Sequence, residues 1–437
     1  MSSTISFHAL RRHVLTNTAG YAVPVLVGVA AVPVLLNMMG IERFGLLTMM
    51  LAGLGLAGVF EFGLGRMLSK TVAEKLATNR SSEVPATIAT ACTLMLGLAL
   101  IGTVILTLAV PLLTALININ PSLLDDATKA MFIIALSLPS VLFTSAFRGT
   151  LQAFRRFKFI LVVNTVMGSF NFIGPILTWI YCDTLTAVAI TLVAGRMLAT
   201  VVYGIYTWQV VCASTTSPQF YFDKSAVRDI AFFGGWMTVT NAVGPLFFFA
   251  DRFVIAAILS ASLVAYYTAP MDVILKILII PVALVDVIFP EVSRYFAEKN
   301  VRLRALYHQA SQQLLIVVVP IAAVLFVAAH PLLDMWLGAD FAEMGTPVVQ
   351  WLSVGLVFST MARIPQAIVQ ASGRPHWTAA LSVGELLLYA VYLPVLILQF
   401  GLPGAAIAWA LRTTIGAGVL ALLANRCLEI LEQQNAG

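Results

Sequence analysis

Twelve stretches of about twenty or more apolar residues, separated by short polar breaks, constrain this chain to a fold that crosses a bilayer. A hydrocarbon core about 30 Å thick is spanned by about 20 residues of α-helix. The stretches run at approximately 14–39, 44–67, 86–116, 129–147, 159–181, 186–211, 230–250, 264–288, 306–329, 346–369, 377–398 and 403–425. Only 10% of residues are charged and 60% are hydrophobic, against roughly 25% charged in a soluble domain. No water-soluble surface can be built from that composition, so the predicted class is all-α: a polytopic membrane protein with twelve transmembrane helices.

The charges sit at the seams. With the N-terminus inside, the cytoplasmic breaks hold eighteen Lys and Arg, among them Arg11, Arg12, Lys70, Arg155, Arg156, Lys158 and Arg374, whereas the opposite breaks hold Arg43, Lys129 and Arg252. Cations in short loops resist transfer across an energised membrane, which predicts that both termini are cytoplasmic. The formal net charge of +5 is therefore a topology signal and not a nucleic-acid footprint. The first apolar run is too long for a signal-peptide core and lacks a small-residue cleavage pattern. Cys92, Cys182, Cys212 and Cys427 are isolated and the five His do not pair at ligand spacing, so neither a disulfide framework, a metal nor a cofactor is expected.

An internal repeat emerges at about half the chain length. Pro111-Leu112-Leu113 recurs as Pro331-Leu332-Leu333, Gln152-Ala153 as Gln370-Ala371, Pro175 as Pro394, and Ala189-Ile190 as Ala406-Ile407, at offsets of 220, 218, 219 and 217. Six spans per copy is an even number, so both copies insert with the same polarity. The expected architecture is two parallel six-helix lobes around a central cavity, at 1–212 and 230–437, joined by a polar cytoplasmic linker at 213–229. A duplicated bundle of this kind suits alternating-access transport around a site near the midplane.

Intramembrane charge carries the functional information, because each such residue costs about 2.5–3.5 kcal/mol on insertion scales if it faces lipid. Arg196, Lys276, Arg363 and Arg412 are the cations within spans. Arg196 and Arg412 follow the repeated Ala-Ile pair by six and five residues, in the last helix of each half. They form either a cationic pocket for an anionic group such as phosphate, which guanidinium recognises bidentately, or a set of cations neutralised by carboxylates or helix ends. Asp272 and Lys276 stand one helical turn apart and can pair internally. Asp286 and Glu385 are candidates for a protonatable coupling residue or for an arginine's partner. Glu61 and Arg66 close the second span, Asp251 and Arg252 the seventh; Glu61 reads as a coupling acid or a salt-bridge partner, and Arg66 as a snorkelling or substrate-facing cation. Among enzyme motifs, no GxxxxGK, HExxH or GxSxG occurs, and the breaks assigned to the outer side are short for a polymerase. The expectation is a non-enzyme.

Several segments resemble one family in order along the whole chain. Gly40-Ile41-Glu42-Arg43-Phe44-Gly45-Leu46, Glu61-Phe62-Gly63-Leu64-Gly65-Arg66, Leu151-Gln152-Ala153-Phe154-Arg155-Arg156, Ala250-Asp251-Arg252 with Tyr266-Tyr267, Phe289-Pro290-Glu291-Val292-Ser293 and Gly401-Leu402-Pro403-Gly404-Ala405-Ala406 are similar to polysaccharide flippases of the multidrug, oligosaccharidyl-lipid and polysaccharide exporter superfamily. One departure is Glu61-Phe62-Gly63-Leu64, where the family pattern has Asp-Leu-Gly-Leu. The resemblance implies a flippase carrying undecaprenyl pyrophosphate-linked oligosaccharide, an O-antigen or exopolysaccharide unit, across a bacterial inner membrane. It would be surrounded by membrane lipid, use H+ or Na+ as a coupling ion, and contact glycan polymerase machinery. The cations Arg196, Arg363, Arg412, Lys276 and Arg66 would receive the pyrophosphate. An ion-coupled multidrug or metabolite antiporter of the same superfamily is the alternative, although a cation exporter would be expected to line its cavity with acids rather than arginines.

Overall fold

The computed structural model describes residues 7–61, 63–78, 80–214, 221, 244, 246, 247, 249–298 and 302–436, with side chains from residue 23 onward apart from a few positions in 279–302 and 434–436. Every regular element among them is helical. The helices are α1 (Phe7–Met39), α2 (Ile41–Leu56), α3 (Leu64–Ala77), α4 (Val84–Leu116), α5 (Pro121–Ala135), α6 (Leu138–Ala153), α7 (Phe157–Tyr181), α8 (Leu185–Ser214), α9 (residues 249–258), α10 (Ala261–Ile277), α11 (Ile279–Ala297), α12 (Arg302–Val327), α13 (Ala329–Leu337), α14 (Ala339–Met361), α15 (Arg363–Ala371), α16 (Pro375–Phe400) and α17 (Leu402–Ala436). Ten helical segments among the described residues are long and apolar enough to cross a membrane, and Val23–Met39 of α1 is a shorter apolar helix. The predicted span at 230–250 and the linker at 213–229 lie almost wholly outside the described residues.

The chain divides into two compact units, Met1–Ala250 and Asp251–Gly437. Matching helices recur in each. α7 and α16, and α8 and α17, begin at the spacing of the sequence repeat. The breaks recur as well: α2 gives way to α3 through a 3-10 turn at Ala57–Glu61, and α10 gives way to α11 at Leu278; α5 breaks into α6 at Leu136-Ser137, and α14 into α15 at Ala362. Breaks free backbone groups, which need partners inside a membrane. At the first of them, Gly63 takes φ 69°, a left-handed conformation that a residue with a Cβ adopts at a cost. The helix of the predicted second span is accordingly broken before residue 67, at the 3-10 turn Ala57–Glu61 and at Gly63.

In the first unit α3 crosses α6 with almost no space between backbones. A Cβ at Gly149 would strike the Gly65 carbonyl oxygen, and one at Gly65 would strike Ser145 Oγ and Glu61 Oε1. Ser145 and Gly149, four residues apart, form the small-residue stripe by which membrane helices approach closely. Helix starts are fixed by side chains borrowed from elsewhere. Asp126 on α5 accepts from Leu185 N at 2.7 Å, Thr186 N at 2.9 Å and Thr186 Oγ1 at 2.6 Å, satisfying the first amides of α8. Asp126→Ala removes this cap and is expected to lower stability by about 1–2 kcal/mol. Thermal unfolding of the purified protein in detergent measures it, with the exposed Asp125→Ala as a near-neutral control.

Candidate functional site

The pairs α7/α8 in the first unit and α16/α17 in the second form antiparallel hairpins, and each hairpin carries one of the repeated arginines. In α7/α8, Thr178 Oγ1 donates to Thr191 Oγ1 at 2.8 Å, Phe170 fills the space beside Gly195, and Tyr203 Oη reaches Asn164 Oδ1 at 3.2 Å. That register sets Arg196 level with Asn171. In α16/α17, Gly404 packs on the Leu396 backbone and Glu385 Oε1 occupies the space beside Gly416. Arg412 is level with Tyr389, its Cζ 5.9 Å from the ring centroid. Both arginines lie roughly 15 Å along their helices from the N-terminal end at 1.5 Å per residue, about half the thickness of a hydrocarbon core.

The two arginines differ in their company. Arg412 Nη1 faces Glu385 Oε2 at 3.6 Å, with both side chains only 12% and 13% exposed. Arg196 has no carboxylate partner among the described residues, and its buried Nε has no hydrogen-bond partner there. Asn171 Oδ1 is likewise buried and unpartnered. The reason is legible in the repeat: the stretch of α7 that corresponds to Glu385 is Thr165-Val166-Met167-Gly168, which contains no acid. Among the described residues, then, Arg412 has a carboxylate partner and Arg196 has none.

The second unit holds a wider polar cluster. Asp251 on α9 is fully buried; its Oδ1 accepts the Arg252 N–H at 2.9 Å and its Oδ2 the Tyr267 hydroxyl at 2.5 Å. Arg252, expected in an outer break, is instead 3% exposed within α9, and its Nη2 meets Asp272 Oδ1 at 2.6 Å. Asp272 thus spends its charge on Arg252 and not on Lys276. A neighbouring helix offers the carboxylate a guanidinium with fork geometry, whereas Lys276, one turn along the same helix, is exposed. Arg412 and Tyr389 stand within electrostatic range of Asp251, and Arg363 within range of Arg412.

The remaining expected site residues fall as follows. Arg363 is half-buried at the start of α15, at the break in its span, and Arg66 is exposed on α3. Glu61 accepts the Gly65 N–H at 3.2 Å, so it caps the restart of the broken second span; a carboxylate also complements the positive end of a helix. The Asp286 side chain lies outside the described residues. Tyr267, Tyr389, Tyr392 and Asn171 were not among the expected site residues. Projecting Asn171 through the repeat offset onto Tyr389 would have found that pair.

These features define an all-helical, multi-span membrane transporter. Residues 10–296 match the family described as polysaccharide biosynthesis protein, and the chain belongs to that family. It is 26% identical over 416 residues to a Shigella flexneri protein named, provisionally, as an O-antigen transporter, covering 95% of this chain and 98% of the relative. Among solved structures it is similar to an inward-facing multidrug resistance MATE family transporter of the MOP superfamily, with a TM-score of 0.75, 14% identity, and 93% and 99% of the two chains covered. It is also similar to the lipid II flippase MurJ in an inward closed conformation, with a TM-score of 0.72, 15% identity, and 96% and 91% covered. The fold is that of the MOP superfamily, and the protein is a membrane transporter rather than an enzyme, related along most of its length to a protein provisionally named as an O-antigen transporter.

Proposed function

We propose that this protein translocates an undecaprenyl pyrophosphate-linked oligosaccharide, an O-antigen or exopolysaccharide repeat unit, from the cytoplasmic to the outer leaflet of the bacterial inner membrane by alternating access. Arg196, Arg363 and Arg412 receive the pyrophosphate, assisted by Lys276 and Arg66, and both termini stay in the cytoplasm. The observation that carries this reading is Arg196: a half-buried cation within a span, whose buried Nε is unpartnered and which has no acid beside it among the described residues. An uncompensated cation in hydrocarbon is costly, and an anionic ligand would repay that cost through charge-assisted hydrogen bonds. The relationship to an O-antigen transporter and the likeness to a lipid II flippase support the same substrate class.

One observation favours an additional ion-coupled step, and with it the antiporter alternative. Asp251 is fully buried, yet among the described residues its hydrogen-bond donors are a tyrosine hydroxyl and a backbone N–H, both uncharged. Such a carboxylate can exchange H+ or Na+ during transport. Proteoliposomes loaded with a labelled lipid-linked oligosaccharide test the principal reading: the glycan becomes accessible to a membrane-impermeant lectin at a protein-dependent rate. No protein-dependent transfer, together with resistance of overexpressing cells to cationic drugs, would transfer support to the antiporter.

A further inference from the structure

We infer that Glu385 is an internal stand-in for the substrate's phosphate, occupying the Arg412 guanidinium in the empty protein and yielding it when a diphosphate arrives. This rests on the reading that Arg412 receives that group and assigns the acid beside it a part in the exchange. Three observations carry it. The Arg412–Glu385 separation is 3.6 Å, close enough for ion pairing but longer than a good hydrogen bond, so the carboxylate neutralises the guanidinium through a loose contact. A phosphate offers several oxygens and the bidentate geometry this carboxylate does not make.

The second observation is reach. Glu385 lies on α16 but leans onto α17, where its Oε1 fills the gap left by the absent Cβ of Gly416. The sequence has made room for the acid at a position one turn from Arg412. Both partners retain 12–13% exposure, so the pair is not sealed, unlike Asp251 at 0%.

The third is the comparison between units. The first unit repeats the arginine, at the same hairpin level, without repeating the acid, so the acid is not required for an arginine to occupy that place in the fold. The groups around Arg412 are Arg363 in electrostatic range, the buried Asp251, and the rings of Tyr389 and Tyr392. Arg252 is committed to Asp272. Among these acids Glu385 is ion-paired to Arg412 and partly exposed, and so is the one an incoming anion can displace.

The test is binding of farnesyl pyrophosphate to the purified full-length protein in detergent, with farnesol and inorganic pyrophosphate as separate arms. Glu385→Gln is expected to bind farnesyl pyrophosphate about tenfold more tightly, as expected if the carboxylate holds the guanidinium roughly nine-tenths of the time. Farnesol binding should not change. Gly416→Ala, which pushes the carboxylate aside while keeping it, should shift affinity in the same direction and serves if Glu385→Gln folds poorly. A gain for inorganic pyrophosphate equal to that for the farnesyl compound locates the effect in the anion alone; a gain confined to the farnesyl compound locates it in the headgroup held with its tail, and either supports the inference. If wild-type protein binds but neither variant binds more tightly, Glu385 is a structural salt bridge and the inference falls while the flippase reading stands. If neither wild type nor variants bind, both fall.

Discussion

Replacing Arg196 with Ala is expected to abolish surface glycan in a flippase-null strain complemented with the variant, while the protein accumulates in the membrane at the wild-type level. The two halves of this result have one cause. Arg196 has no acid beside it among the described residues and a buried, unpartnered Nε, so its removal leaves no orphaned carboxylate. Loss of a partner is what makes breaking a buried ion pair destabilising, and no such partner stands beside Arg196 among the described residues. The substrate, by contrast, forfeits a charged hydrogen-bonding group worth about 1.5–3 kcal/mol, or roughly 10- to 150-fold in affinity. Arg196→Lys keeps the charge but not the fork, and should restore only part of the export. Normal glycan display by both variants would remove Arg196 from the site. Arg412→Ala makes an instructive contrast, because it strands Glu385 in a mostly buried position and should cost stability as well as function.

The second large effect is structural. Gly149→Val should prevent stable accumulation of the protein. A Cβ at position 149 meets the Gly65 carbonyl oxygen, a backbone atom on a crossing helix, and Gly65 is in turn hemmed by Ser145 and by Glu61, which caps the same turn. No side-chain rotation relieves that contact, so α3 and α6 must separate, at a cost of about 3 kcal/mol or more, the upper range for overpacking. Thermal stability by size-exclusion chromatography after heating in detergent measures it. Gly97→Val on α4 provides the control, since a Cβ there meets nothing within 4 Å. Equal behaviour of the two variants would mean that the α3–α6 crossing is not rigid.

Hydropathy was sufficient to place ten of the expected spans, because a helix facing lipid must be apolar along its whole length whatever it packs against. The repeat was also legible: the offsets linking Pro175 to Pro394 and Ala189-Ile190 to Ala406-Ile407 return as the spacing of α7 to α16 and α8 to α17. The same logic singled out Arg196 and Arg412 as equivalent. It failed where charges choose partners. Asp272 pairs with Arg252 twenty residues earlier rather than with Lys276 on its own helix, and Glu61 serves the backbone of Gly65 rather than another charge.

Composition and periodicity thus determined that the chain is an all-helical, multi-span membrane protein with a few cations inside its spans, since transfer free energy depends on residue type and order alone. Tertiary structure decided which of those cations are spoken for. Pairing depends on distances of a few ångströms between different helices: Arg412 finds an acid across its hairpin at 3.6 Å and Arg196, at the matching level of the other hairpin, finds none among the described residues. Coulomb energy in a weakly screening interior changes steeply over that range, and no linear reading of the chain contains it.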